Sequence, residues 1–183
     1  GVIGMKLAAG GRYAIFSSLA SDLVADDTNG SQDVFVRDLQ AGTTTRVSLR
    51  ADGSQITNAG NGQSDMQVNI SADGRFVSFV SNQDLIGDDP SGAYVLYWRD
   101  VNTGFVRRVF SSTLTLVAYS SLSDNGEHMA FLYGTFVPGA ERNIVAHYDA
   151  ESIVMEEVFS ISSINNVNYV GQGIGISGNG RFI

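Results

Sequence analysis

The chain has 183 residues, 43% of them hydrophobic, a formal net charge of −8, no cysteine and one lysine, Lys6. That length and apolar content fit one sizeable core and exclude a disordered chain. The acidity argues against nucleic acid or an anionic membrane surface as partner, since both need basic residues, and the missing cysteines exclude disulfides, thiolate metal sites and a cysteine nucleophile.

Taken in chain order, the elements repeat. A turn at Ala8-Ala9-Gly10-Gly11-Arg12-Tyr13 is followed by a long connection over Leu19–Gln32. A strand at Val34-Phe35-Val36-Arg37-Asp38 then leads through Gly42 into Thr45-Arg46-Val47. A second long connection, Arg50–Asp65, is rich in Gly, Asn, Ser and Gln. The next unit is the clearest. It predicts strands at Met66–Ile70, Arg75–Ser81, Tyr94–Asp100 and Phe105–Phe110, with hairpin turns at Asp73-Gly74 and Asp100…Gly104. Alternation places Phe76, Ser78 and Val80 on one face of their strand and Val77 and Phe79 on the other. A third unit carries its turn at Ser123-Asp124-Asn125-Gly126-Glu127-His128 and ends in Ala146-His147-Tyr148-Asp149 and Ile153-Val154-Met155, where the second turn glycine is missing. A fourth begins with Ser177-Gly178-Asn179-Gly180-Arg181-Phe182.

Gly11, Gly74, Gly126 and Gly180 fall 63, 52 and 54 residues apart. Strand repeats of that period point to β-propeller blades. No window holds a capped 3.6-residue apolar stripe, so helix is predicted to be nearly absent. The expected fold is all-β, with blades of four antiparallel strands. Residues 1–183 make one propeller fragment, with repeats at about 1–64, 65–114, 115–170 and an incomplete 171–183. Closed propellers use about four to eight blades, and an open wedge exposes apolar faces at both ends. The chain opens on Gly1 and stops at Ile183 inside a strand. Further blades upstream or downstream, or a homo-oligomer that completes the ring, are therefore expected.

The run Ser71-Ala72-Asp73-Gly74-Arg75-Phe76-Val77-Ser78-Phe79 resembles the WD40-like PD40 repeat of bacterial TolB-type propellers, as does Asp33-Val34-Phe35-Val36-Arg37-Asp38-Leu39 with Gly42 and three threonines behind it. The resemblance covers essentially the whole chain. It implies an exported bacterial protein, periplasmic or secreted, whose propeller serves as a binding platform or as a module attached to other domains. Relatives with this blade type include the N-terminal propellers of some serine peptidases.

The segment Asp26-Asp27-Thr28-Asn29-Gly30-Ser31-Gln32-Asp33 is the candidate metal site, because Asp27, Asn29 and Asp33 supply oxygens at nearby positions, as calcium requires. It lacks the spacing and terminal Glu of an EF-hand, and an Asx turn accounts for the same residues. In the second repeat Val95 falls where Asp33 would be. Asp38, Asp100 and Asp149 recur at strand ends, which argues for a structural role. Arg12, Arg75 and Arg181 follow the turn glycine and are expected to form surface ion pairs. His128 and His147 show no metal-ligand spacing. Trp98, Tyr94, Tyr97 and Tyr148 fit either packing between blades or a stacking surface for a sugar or peptide. No serine stands in Gly-x-Ser-x-Gly, and Gly171-Gln172-Gly173-Ile174-Gly175 lacks the helix and lysine of a phosphate loop.

The function expected is a non-catalytic module that binds a protein, peptide or glycan, with no catalytic residue and no cofactor other than calcium at the 26–33 loop. The alternative is the accessory propeller of a larger hydrolase of serine-peptidase type, and a third reading is a purely structural spacer.

Overall fold

The computed structural model describes residues 2–56, 64–88, 93–112, 117–135, 142–162 and 174–183. They contain twelve strands and no helix, in three antiparallel sheets of four. The first sheet holds β1 Val2–Leu7, β2 Tyr13–Ser18, β3 Asp33–Asp38 and β4 Thr43–Arg46. The second holds β5 Ser64–Ile70, β6 Phe76–Ser81, β7 Tyr94–Asp100 and β8 Val106–Ser112. The third holds β9 Val117–Leu122, β10 His128–Thr135, β11 Arg142–Asp149 and β12 Val154–Ser162. Strands pair in chain order within each sheet. Their bounds follow the sequence pattern closely, and Tyr94–Asp100 coincides with the predicted strand.

The sheets stack as blades. Two apolar layers lie between them, and the alternation in β6 and β7 assigns each residue to one layer. Val77, Phe79, Val95 and Tyr97 pack toward the first sheet with Ile15, Val34 and Val36. Val80, Leu96 and Trp98 pack toward the third sheet with Met129, Phe131 and Tyr133. Each large side chain buried this way contributes roughly 1.5–3 kcal/mol. β1 touches β5 and β5 touches β9, so the first strands converge on the common axis.

The ring is open. Val2, Met5 and Leu7 pair with Ser18, Phe16 and Ala14 on the face of the first sheet turned away from the second, and are 59%, 67% and 54% exposed. At the other end, beyond the third sheet, Phe182 is 70% exposed.

Each blade registers on the next through its first hairpin. An ideal Cβ on Gly74 would lie 2.5 Å from Cγ of Tyr13, and one on Gly126 or Gly180 would run into the ring of Phe76 or His128. The three rings occupy the same place, the first residue of the second strand, and each packs on the bare glycine of the following blade. Backbone bonds run alongside: Ala72 N–H donates to Asp124 O at 2.8 Å and Asp124 N–H to Gly178 O at 3.0 Å. The hairpin itself is locked by its serine. Ser71 Oγ donates to Asp73 Oδ1 at 2.6 Å and accepts from Phe76 N–H at 2.9 Å. Ser123 with Asn125 and Ser177 with Asn179 repeat the arrangement.

Where the second turn glycine is missing, Ile153 takes its place at φ 61°. Its N–H donates to Asp149 O at 3.0 Å, as Gly42 does to Asp38 O and Gly104 to Asp100 O, both at 2.9 Å. A β-branched residue in this left-handed region is strained.

Candidate functional site

The recurrent acids are structural. Asp38 Oδ1 accepts from the N–H groups of Gln40 and Ala41, and Arg12 Nη2 donates to Asp38 Oδ2 at 2.7 Å. The Arg12 hydrogen bond, supported by the Ala41 N–H, lowers Asp38 to about 2. Asp100 caps its turn on Asn102 N–H and receives Arg75 Nη2 at 2.9 Å. Burial opposes its ionisation, yet the Arg75 and Asn102 bonds prevail and its pKa falls below the ordinary value. Asp149 is lowered chiefly by the N–H of Ser152. Arg12 and Arg75 thus pair inside their own blade rather than with a neighbour, and their guanidinium groups lie over the rings of Tyr13 and Phe76 at 4.8 and 4.6 Å.

Asp27, Asn29 and Asp33 do come together, where the loop after β2 runs into the first residue of β3. At their centre lies Arg46 of β4, 3.0 Å from Asp27 Oδ1 and 3.5 Å from Asp33 Oδ2. The Arg46 and Asp27 side chains are only 8% and 4% exposed. Asn29 Nδ2 donates to Asp33 Oδ2 at 2.9 Å, its Oδ1 accepts from Ser31 N–H, and Ser48 Oγ donates to Asp33 Oδ1 at 2.5 Å. Gln55 ties the loop down by donating to Asp26 O and accepting from Thr28 N–H. Burial, reinforced by the Asp33 carboxylate, raises Asp27 above its ordinary pKa. The positive charge that these carboxylates face is therefore a guanidinium. In the second blade Arg108, at the place of Arg46, pairs with a single, largely exposed carboxylate, its Nη1 lying 3.1 Å from Asp88 Oδ1. The signal for it was in the sequence: Arg46 and Arg108 hold the same place in their repeats. Among the described residues no group of three or more His, Cys, Asp or Glu side chains is arranged to hold a metal. The segment from Asp89 to Gly92, with Ser163, Gly171, Gln172 and Gly173, lies outside the described residues.

The aromatic residues pack between blades. Trp98 stacks on Phe76 at 4.9 Å and its Nε1 donates to Gly126 O at 2.8 Å, while Tyr97 and Tyr148 are buried. His128 and His147, far apart in sequence, lie side by side across β10 and β11 with ring centroids 5.4 Å apart. A cavity of about 160 Å³ opens between the first two blades, lined by Tyr13, Asp38, Thr43, Asp73 and Asn102 among others.

Sequence reasoning did not find the polar line at the axis. Lys6 Nζ donates to Asn69 Oδ1 at 2.7 Å. Asn69 Nδ2 donates to Ser78 Oγ at 3.2 Å and to Ser120 Oγ at 2.8 Å. Three blades are thereby joined through the first strand of each. Ser121 Oγ accepts from Ile176 N–H at 3.4 Å, so the line continues toward the fourth repeat. Asn69 and Ser120 are 2% and 9% exposed, whereas Lys6 is exposed.

Radial four-stranded blades, interlocked hairpins and a polar axis define a β-propeller that is not closed. No family profile matches the chain, and no curated protein matches it in sequence. Solved structures do. The chain is similar to TolB from Acinetobacter baumannii, with a TM-score of 0.54 and 16% identity over 98% of this chain and 36% of that one. It is similar to the β-propeller domain of the Trilobed protease from Pyrococcus furiosus, with a TM-score of 0.56 and 12% identity over 88% of this chain and 43% of that one. It is also similar to the acylaminoacyl peptidase of Pyrococcus horikoshii, with a TM-score of 0.55 and 10% identity over 88% of this chain and 25% of that one. The chain spans less than half the length of each. The fold is that of TolB-type propellers. No helix among the described residues is long and apolar enough to cross a membrane.

Proposed function

We propose that the chain is part of a non-catalytic propeller that binds a protein, peptide or glycan partner. The observation that supports this reading is the division of labour among its polar groups. The recurrent aspartates and arginines are engaged in holding hairpins and loops, while Lys6, Asn69 and Ser120 form a line where the blades converge. Its location outside the cytoplasm is proposed from the resemblance of the repeats. The apolar edges at Met5 and Phe182 are proposed to be covered by further blades, of the same polypeptide or of a second chain.

Arrays of peptides and glycans probed with the labelled chain test the reading, alongside peptidase and esterase substrates. Saturable binding without turnover is expected. Turnover by the isolated chain overturns the non-catalytic assignment, and no binding on any array favours a spacer. The second reading, an accessory propeller of a larger hydrolase, is favoured by the likeness to two propeller-bearing peptidases. A hydrolase domain in the same reading frame supports it. Light scattering separates a monomeric fragment from a ring completed by association.

A further inference from the structure

Apart from His128 beside Asp149, the described ion pairs of this acidic chain join arginines to carboxylates: Arg12 to Asp38, Arg46 to Asp27 and Asp33, Arg75 to Asp100, Arg108 to Asp88. The chain's single lysine is different. The described partner of Lys6 is the neutral amide oxygen of Asn69. That amide is fixed, because its Nδ2 is already committed to Ser78 and Ser120. Turning it over would set an NH2 group against the ammonium. An ammonium has three N–H donors; Asn69 engages one of them, and the residue as a whole is exposed although its amine end packs on the second blade. The Ser120 hydroxyl accepts from Asn69 and retains its own proton to donate.

We propose that Lys6, oriented by Asn69 and flanked through it by Ser120, binds the carboxylate of a ligand at the propeller axis. A single ammonium matches a monoanion in charge-assisted hydrogen bonding. A phosphate dianion would bring a second charge against the overall charge of −8 with no second cation in the described network. Desolvation of the amine end, which packs on the second blade, lowers Lys6 from its ordinary pKa, and an arriving carboxylate reverses that shift by favouring the charged form.

The inference rests on the binding reading for the ligand's class, and it is tested without a partner. Since Lys6 is the only lysine, protein labelled with ¹³C-lysine gives one side-chain signal. Sodium acetate is titrated against sodium chloride at matched ionic strength. Saturable movement in acetate alone is expected, weakened about tenfold in Asn69→Ala, as loss of a hydrogen bond to a charged group implies. Ser120→Ala serves if Asn69→Ala fails to fold. A peptide with a free terminal carboxylate is expected to compete with acetate and its amidated form is not; competition by a side-chain carboxylate in the amidated peptide assigns the other source. The same unsaturated drift in acetate and chloride overturns the site. If Lys6 responds to acetate but no array partner is found, the platform reading alone fails. If an array partner binds Lys6→Gln unchanged, the carboxylate site alone fails.

Discussion

Gly74→Ala tests the joint between blades. Two separable effects add. Gly74 has φ +74°, and an L side chain in that region costs about 1–2 kcal/mol. The new methyl group also meets the Tyr13 ring at Cγ, 2.5 Å away, with both Cδ atoms at 2.7 Å. Cγ is one bond from the Tyr13 Cβ, so the ring cannot swing clear without changing χ1. Overpacking of this kind costs about 1–3 kcal/mol, for a total of about 2–5 kcal/mol against a domain stability of about 5–15. Gly42→Ala is the control. Gly42 has φ +70°, but the nearest atom to its added Cβ is Arg37 Nη2 at 3.8 Å, so only the backbone effect applies. Urea unfolding followed by circular dichroism measures both. The midpoint for Gly74→Ala is expected to fall further, by the equivalent of about 1–3 kcal/mol with unchanged slope. Tyr13→Ala in the Gly74→Ala background is expected to recover part of the loss, as coupled neighbours do. Equal destabilisation by Gly74→Ala and Gly42→Ala refutes the ring-on-glycine joint.

Arg46→Ala leaves Asp27 and Asp33 buried without their cation, and is expected to destabilise by about 3–5 kcal/mol. The Arg46 guanidinium faces both carboxylates, so millimolar calcium is expected to raise the melting temperature of Arg46→Ala and not of the native chain; a rise in the native chain contradicts this. Asp38 sits at about 2 in the folded chain, below the unfolded carboxylate value of about 3.9. The unfolded chain therefore binds more protons between those values, and the contribution is complete above about 4 and lost as pH falls toward 2. Asp38→Asn is expected to flatten the stability profile in that window, as read from urea midpoints against pH. Ile153→Gly relieves a β-branched residue at φ 61° that is 61% exposed; removing a strain of about 1–2 kcal/mol outweighs the flexibility of glycine, about 0.5–1 kcal/mol, and the melting temperature is expected to rise.

The blades were legible because period-2 alternation and turn chemistry are local. The sequence assigned Phe79 and Val80 to opposite faces, and they lie in different apolar layers. The engagement of Asp38, Asp100 and Asp149 in turns followed from their recurrence. What escaped was long-range. The closeness of Asp27, Asn29 and Asp33 was legible, but the guanidinium between them comes from β4, after the intervening strand. Lys6 meets Asn69 across 63 residues, and His128 stacks diagonally on His147, since the register sets His128 opposite Asp149 and His147 opposite Ala130. Ile153 replaces a glycine without losing the turn, which no propensity scale signals.

A ring on a bare backbone position recurs at each described seam, so the polypeptide resembles a cassette array at its hairpins. Recombination between equivalent hairpins would add or delete a whole unit while keeping this ring-on-glycine contact. His128 in the place of Tyr13 and Phe76 marks how far the ring can drift, since a flat side chain is still presented to the glycine behind it. What such an exchange would have to rebuild is the line of Lys6, Asn69 and Ser120, which ties the innermost strands of neighbouring units to one another.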